Sequence, residues 1–545
     1  MGTDRMRHFF FDPSIPHGFL QSTNLPRDNL TAFELPRSRV KIVIIGGGPT
    51  GLSAAINLAE QVRCRELVHI HVYEKRWMKQ RFGKLHFTVY PEDERRRDQV
   101  VTIQDHVKNM FSRETIKSLD YGLEKRGAER VWPESSNLQI SKVEDALLKR
   151  AQDSIFDGMI YLHGAEIKDE ETLLKAAGGD FHLLLAADGA NSWVRKRYFS
   201  AEEEQCGTSF ALGVALDRGD KGLPHPQALN IFLTLIQTRF LLNASDRDST
   251  GYLNVLLTQQ EYDQCVSVDG SPADFRSPAC ILHNGTEPPG FTKQQVFAPY
   301  HQKSQLWKTI KNGLQLYGFV EEDVKSIARI PINLIGVKSC TRKVFLDRRN
   351  VKAGHPHFLA SLAGDAALTH HFWPGRGMNS GIKSAIAWSN QISDIIMEGN
   401  KDLVGLRTRA LRPYEHFMRK LREREHTHRS LVILNTSGSS ERMEDKLRQA
   451  EKLQEHACQV DPVLWNRVLE FADRLEGRGK PRWHHEKIKG LKWKVFEILS
   501  GLSIETKAQM KHSGPWPTEK MSAAEANDFR RSGHITAPFN QAGQA

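Results

Sequence analysis

Apolar residues fall along this chain in short, nearly continuous runs, separated by stretches of helical periodicity. Val40 to Ile45 is such a run, and the helix-like stretch Leu52 to Glu60 follows it after a cluster of glycines. Leu67 to Tyr73, Phe181 to Ala187 and Phe358 to Ala363 repeat the pattern. Mostly apolar runs of about this length, broken only by single polar residues such as Lys41 or His182, predict strands buried on both faces, as in a parallel sheet covered by helices. A helix is predicted from Ser141, where Ser141 and Glu144 have capping-box spacing ahead of Ala146, Leu147 and Leu148. Between about 200 and 345 the runs Ile231 to Leu242 and Tyr252 to Leu257 predict strands of a second sheet.

The pattern divides the chain at its changes of period. Residues 1–38, with Pro13, Pro16, Pro26 and Pro36, read as an N-terminal extension. Residues 39–200 form the first part of a dinucleotide-binding domain, 201–345 an inserted substrate domain, and 346–400 the return to the first domain. Residues 401–512 are helical in character, with segments at Glu441 to Ala457, Pro462 to Leu475 and Lys487 to Leu499, and 513–545 is a turn-rich tail. Arg419 to Arg429 alternates charge as a solvated helix would.

The glycine cluster carries the first chemistry. Gly46-Gly47-Gly48-Pro49-Thr50-Gly51 lies between a strand and a helix, where Gly46 permits the bend, Gly48 opens the backbone to a pyrophosphate and Gly51 lets helix pack on strand. Phosphates then meet the positive end of the helix. Glu74 ends the next apolar run, where its carboxylate can accept from ribose hydroxyls, so an unphosphorylated adenosine ribose, as in FAD or NAD, is expected. No second glycine fingerprint follows a later strand, so a nicotinamide cofactor has no domain of its own.

Two later segments narrow the reading. Asp188-Gly189-Ala190-Asn191-Ser192 with Arg195, eight positions after Asp180, resembles the DG motif of flavoprotein hydroxylases of the p-hydroxybenzoate hydroxylase type. Gly364-Asp365-Ala366-Ala367 resembles the GD motif of the same family, with Leu368 in place of its histidine. Trp373-Pro374-Gly375-Arg376-Gly377-Met378-Asn379-Ser380-Gly381 is similar to its proline loop and GQGxNxG segment, with Arg376 replacing glutamine. Glu74-Lys75-Arg76, Arg97-Asp98-Gln99-Val100-Val101 and Phe372-Trp373-Pro374 look like elements of the MICAL monooxygenase domain, although Trp77 to Arg96 is a long basic insertion and no LIM-type zinc pattern follows.

The resemblance implies an α/β fold: an FAD-binding Rossmann-like domain, an inserted mixed β-sheet substrate domain and a helical C-terminal region. It implies that Gly46, Gly48, Gly51, Glu74, Arg76, Arg97, Gln99, Asp188, Gly189, Gly364, Asp365, Gly377 and Asn379 hold FAD, with Trp373 bordering the isoalloxazine. A helix starting near Asn379 would aim its amides at the flavin, where negative charge collects on reduction. The implied activity is that of a FAD-dependent monooxygenase: NADPH or NADH reduces the flavin transiently, O2 adds at C4a, and the hydroperoxide hydroxylates or N-oxygenates a small organic substrate. Ring hydroxylation, amine or amino acid N-oxidation and thioether oxidation stay open, as does a non-catalytic flavin-fold interaction protein of the Rab escort kind. The absence of a WxWxIP stretch argues against a halogenase.

Composition changes this picture little. The chain has 545 residues, 39% of them hydrophobic, and a formal charge of +11 with basic and acidic residues interspersed. The charge favours an acidic substrate, while the mixing of signs argues against a nucleic-acid face. No run is long enough for a membrane span and no secretory core opens the chain, so a cytoplasmic protein is expected, its oligomeric state open. The six cysteines lack metal or disulfide spacing, and no metal is expected. His69 and His71, like His484 and His485, read as ordinary surface or core histidines, His370 and His371 as candidate proton donors, and Arg239 as either a substrate-carboxylate partner or a partly exposed strand arginine.

Overall fold

The computed structural model describes residues 39–63, 65–83, 85–91, 96, 99–120, 135–179, 181–245, 249–266, 272–273, 305–346, 357–371, 377–398, 408–431, 460–477 and 484–515. The Arg97, Asp180 and Trp373 positions, the 372–376 loop and the helix expected at 441–457 lie outside them.

Strand β1 (Val40–Ile45) sits near the middle of a six-stranded sheet. It pairs in parallel with β2 (Val68–Tyr73) on one side and β8 (Leu183–Ala186) on the other. β7 (Ile160–His163) extends the sheet beyond β2, and β14 (His357–Leu362) pairs in parallel with β8. β13 (Thr341–Phe345) closes that edge antiparallel to β14. Ile42, Ile44, Leu183, Leu184, Leu185, Leu359 and Ala360 are fully buried, as continuous apolar strands covered on both faces require. The Pro49–Val62 and Gly377–Met397 helices pack together on this sheet, tied by Asn57 Nδ2 donating to Ser389 Oγ at 2.6 Å and to Asn390 Oδ1 at 2.7 Å.

The insertion forms a four-stranded sheet in the order β10 (Phe240–Ser245), β11 (Thr250–Leu257), β9 (Glu203–Asp217), β12 (Val324–Val337). Its described pairs are all antiparallel, so the mixed pairing belongs to the first sheet. One face, carrying Leu212, Val214, Phe240, Leu253 and Val255, is covered by helices Gln227–Leu235, Gln305–Leu316, Pro462–Glu476 and His485–Gly501. The opposite face carries Ala211, Ile332 and Leu334. Two small ribbons complete the described sheets: β3 (Met78–Phe82) with β4 (Leu85–Val89), which lies within the basic insertion, and β5 (Val100–Gln104) with β6 (Ser135–Gln139).

Three sequence expectations about helices are corrected. Ile231 to Leu242 is not one strand: Gln227–Leu235 is a helix opened by Pro226, and only Phe240 onward is strand. A continuous apolar run fits a helix buried all round as well as it fits a strand, and here the C-terminal helices cover the outer face. The Ile140–Ala151 helix begins one residue early, at Gln139 as N-cap, with no capping box; Glu144 faces two arginines instead. Arg419 to Arg429 is not a solvated helix. The α-helix Arg412–Arg422 passes into a π-helix, Glu423–Ser430, that buries Glu425, His426 and Ser430. A further helix, Ile504–His512, lies within the stretch expected to be helical and precedes the tail.

Candidate functional site

The site is built around the turn after β1. Gly46 adopts φ +102°, and a Cβ there would lie 2.3 Å from the Ala187 carbonyl oxygen. At Gly51 a Cβ would lie 1.9 Å from the Gly46 carbonyl oxygen, whereas at Gly48 it would meet nothing within 4 Å. Bend, close packing and opening thus fall on the three glycines to which the sequence assigns them. Gly48 is the N-cap of the Pro49–Val62 helix and brings no side-chain acceptor. The first-turn amides, which lack intrahelical partners, are therefore directed to the open side of the turn.

At the end of β2, Glu74 is 9% exposed and accepts from Gly47 N at 3.0 Å, Arg76 N at 3.2 Å, Arg76 Nε at 3.0 Å and Arg76 Nη2 at 3.2 Å. Burial by itself pushes the Glu74 carboxyl up, but the hydrogen bonds and charge of Arg76 outweigh it and hold it below its ordinary value. Arg76 also reaches Glu144 Oε1 at 3.1 Å, and Glu144 Oε2 accepts from Arg96 Nη2 at 3.0 Å. The Arg96 guanidinium lies 3.7 Å from the centre of the Tyr90 ring. Sequence reasoning missed Arg96, Tyr90 and this role of Glu144, because nothing in the local pattern joins β2, the β3–β4 ribbon and the Ile140–Ala151 helix. Gln99 is half-buried and its carbonyl accepts from Ile140 N at 3.0 Å.

The two later motifs meet the turn at Thr50. A Cβ on Gly364 (φ +60°) would lie 2.7 Å from Thr50 Oγ1, and one on Gly381 2.4 Å from the same atom. Gly364 N donates to Ser384 Oγ at 2.9 Å, and a Cβ on Gly377 would lie 3.7 Å from Asp365 Oδ1. The Asp365 carboxylate therefore lies beside the N-terminus of the Gly377–Met397 helix. Asp188 follows β8 directly, next to the Gly46 bend, and Gly189 turns the chain at φ +81°. Asp188 Oδ2 accepts from Trp193 N at 3.0 Å, while Oδ1 is buried without a partner. Burial pushes this carboxyl above its ordinary range. Arg195, 1% exposed, staples the two loops: it donates to the carbonyls of Ala190 at 2.5 Å and Ala366 at 3.2 Å, and pairs with Glu203 at 2.9 Å.

Asn379 is brought to the site, but its side chain bridges backbone. Its Oδ1 accepts from Gln104 N at 3.0 Å and its Nδ2 donates to the Thr102 carbonyl at 2.7 Å, clamping β5 to the helix. Only its main chain is then placed to face a cofactor. His371 is fully buried, its Nε2 3.3 Å from Ser209 Oγ on the second sheet. Neither ring nitrogen of His370 makes a hydrogen bond of normal geometry, and burial lowers its pKa to about 4. His371 falls to about 3 for the same reason, so both rings are neutral near neutral pH. Arg239 is neither a substrate partner nor a half-exposed strand residue. It is 1% exposed and pairs with Glu261 at 2.5 Å, the glutamate of a capping box closed with Thr258. His71 stacks between Tyr161 and His163 on the first sheet, His484 caps the helix that follows it, and Cys206, Cys265 and Cys340 form no disulfide.

These residues fit FAD. The open face above Gly48 with its helix amides suits a diphosphate, the partnerless Asp188 Oδ1 is a buried acceptor awaiting a donor, and Asp365 stands beside a helix N-terminus where the flavin end would lie.

No family model and no curated protein matches the chain. Among solved structures, the chain is similar to tetracycline destructase Tet(51) at 11% identity, covering 85% of this chain and 99% of that one, TM-score 0.39. It is similar to CtdE in complex with FAD at 13% identity, covering 76% and 100%, TM-score 0.41. It is also similar to CmlS, a flavin-dependent halogenase, at 11% identity, covering 91% and 77%, TM-score 0.42. Likenesses this slight carry no argument about chemistry. Among the described residues, no helix is long and apolar enough to cross a membrane.

Proposed function

We propose that the chain is a single-component, FAD-dependent monooxygenase acting on a small, acidic organic substrate with NADPH or NADH and O2 as co-substrates. The observation that carries this reading is the convergence on Thr50: the 46–51 turn, the Gly364–Asp365 loop and the Gly377–Met397 helix meet there, with Asp188 at the bend of the same turn. A binding module for a simple dinucleotide needs the first of these segments alone.

When bound, FAD would supply hydride acceptance and oxygen activation. The chain's own work would be binding, charge placement and exclusion of water. The first-turn amides of the Pro49–Val62 helix would neutralise the diphosphate, with Glu74 and Arg76 at its adenosine side. Asp365 and Asp188 would accept from hydroxyls and ring N–H groups along the linker. The N-terminal amides of the Gly377–Met397 helix would favour negative charge at the ring edge nearest them. The Ala211, Ile332 and Leu334 face of the second sheet would wall the reaction space and keep it dry.

The experiment has two stages. Purified protein is first titrated with FAD, following flavin absorbance and fluorescence. The holoprotein is then screened with a panel of aromatic acids, amines and thioethers for stimulated NADPH or NADH oxidation, with uptake of isotopically labelled oxygen confirmed by mass. Colourless protein that gains no flavin overturns the reading and leaves the Rab escort-like interaction role in its place. Flavin that is reduced but never inserts oxygen into any member of the panel overturns the monooxygenase assignment.

A further inference from the structure

Glu74 cannot serve a ribose as it stands. A carboxylate offers about four lone-pair sites, and the Gly47 amide with the Arg76 amide, Nε and Nη2 fills those of Glu74. The competing ligand is its own neighbour, Arg76, which shares the Glu74 carboxylate with the Gly47 amide of the turn. Arg76 has a second anchor, however. Its Nη1 and Nη2 each lie 3.1 Å from Glu144 Oε1, and Glu144 is 2% exposed with no other cation on that oxygen among the described residues.

On its other oxygen Glu144 holds Arg96, which is stacked on Tyr90 and also donates to the Ser141 carbonyl at 2.7 Å and to Asp145. Trp77 Nε1, Tyr90 Oη and Arg96 Nε are buried around this cluster without a hydrogen bond of normal geometry, the Trp77 indole acting at longer range on the Tyr90 hydroxyl. The benzo edge of Trp77 lies directly under Gly47, where a Cβ would meet its Cζ2 at 2.2 Å, so the cluster is continuous with the phosphate turn. Buried donors without normal hydrogen bonds on one side and a saturated carboxylate on the other describe a site waiting for an acceptor-rich group.

Resting on the FAD reading above, we infer that Glu144 is a positioning residue for cofactor loading. It retains Arg76 when that side chain leaves Glu74, so that the Glu74 carboxylate is released to the ribose while Arg76 and Arg96 stay as paired cations beside the diphosphate. Without Glu144, Arg76 has Glu74 as its sole carboxylate partner in the cluster and competes with the ribose at full strength. The ligand this arrangement takes is a nucleoside diphosphate moiety, and its specificity lies in the exchange of one carboxylate's partners.

The test is a double-mutant cycle on FAD affinity, read by quenching of flavin fluorescence in the full chain. Glu144→Gln should weaken FAD binding about tenfold, the scale of coupling between neighbouring charged groups, and slow the loading phase. In an Arg76→Ala background, with the competitor gone, the same Glu144→Gln change should cost clearly less, leaving only the effect of releasing Arg96. Equal losses in both backgrounds overturn the inference, as does no loss in either. Wild type that fails to bind FAD at all refutes the functional reading instead, so the two failures are told apart. Arginine side-chain NMR of the wild type reads the exchange without substitution: loss of the Arg76 Nε contact with Glu74 on FAD addition supports it, and Arg76 still on Glu74 in the complex overturns it.

Discussion

Asp188→Asn should make the FAD-free protein more stable and the FAD complex weaker. Asp188 is half-buried just past β8, with Oδ2 accepting from the Trp193 amide at 3.0 Å and Oδ1 buried without a partner. An unsatisfied buried charge costs about 1–3 kcal/mol, and the asparagine leaves a neutral donor at the same place at smaller cost, so the net gain is about 1 kcal/mol. The Trp193 amide keeps its acceptor. Burial raises the native carboxyl pKa from its ordinary 3.8, so the folded chain holds this proton more tightly than the unfolded one. The stability Asp188 contributes is thus full below 3.8 and is lost as pH rises toward the raised native value. The asparagine's advantage is therefore absent in acid and grows as pH rises from 3.8 through the raised native value. Urea unfolding of the FAD-free proteins, followed by tryptophan fluorescence at acidic and neutral pH, measures it. FAD titration of the same pair should show an affinity loss of about 1.5–3 kcal/mol, the scale of a hydrogen bond to a charged group. A variant less stable than wild type at neutral pH, or a difference that does not change with pH, would refute the account of Asp188 as a buried acceptor held in reserve for the cofactor.

Gly51→Val should destabilise the nucleotide domain by about 1–3 kcal/mol or more, because its Cβ has no room beside the Gly46 carbonyl; a wild-type denaturation midpoint would contradict the packing described here. Asn379→Ala removes both clamps on β5 and should cost about 1–3 kcal/mol in chemical denaturation, with loosened hydrogen exchange at Gln104 as its local signature. Asp365→Ala and Gly48→Trp should give soluble protein with much less bound flavin, the first by losing an acceptor and the second by filling the open side of the turn; unchanged flavin content in both would move the cofactor elsewhere. Glu74→Ala should weaken FAD by about 1–3 kcal/mol, and calorimetric titration showing no loss would remove Glu74 from the ribose.

The phosphate turn was legible in the sequence because its requirements are local. A strand, three glycines with separate steric duties and a helix start occupy adjacent positions, and the close approach of Gly51 to the Gly46 carbonyl follows from that order, whereas the crowding at Gly46 comes from Ala187 on the neighbouring strand's end. The buried strands were legible for the same reason, since a run such as Val40 to Ile45 has no exposed face to offer. Where burial is complete, however, periodicity loses its meaning, and the segment after Pro226 became a helix because distant C-terminal helices cover it. Charged residues carried even less information locally. Glu144 had the spacing of a cap and serves Arg76 and Arg96 instead; Arg239 lay in an apolar run and pairs with Glu261; Glu425 sits in an alternating stretch and is buried in a π-helix. The sequence by itself determined which backbone could wrap a dinucleotide, because sterics act between neighbours. Only the tertiary structure decided which charges meet, because the cost of burying a charge depends on partners supplied from anywhere in the chain.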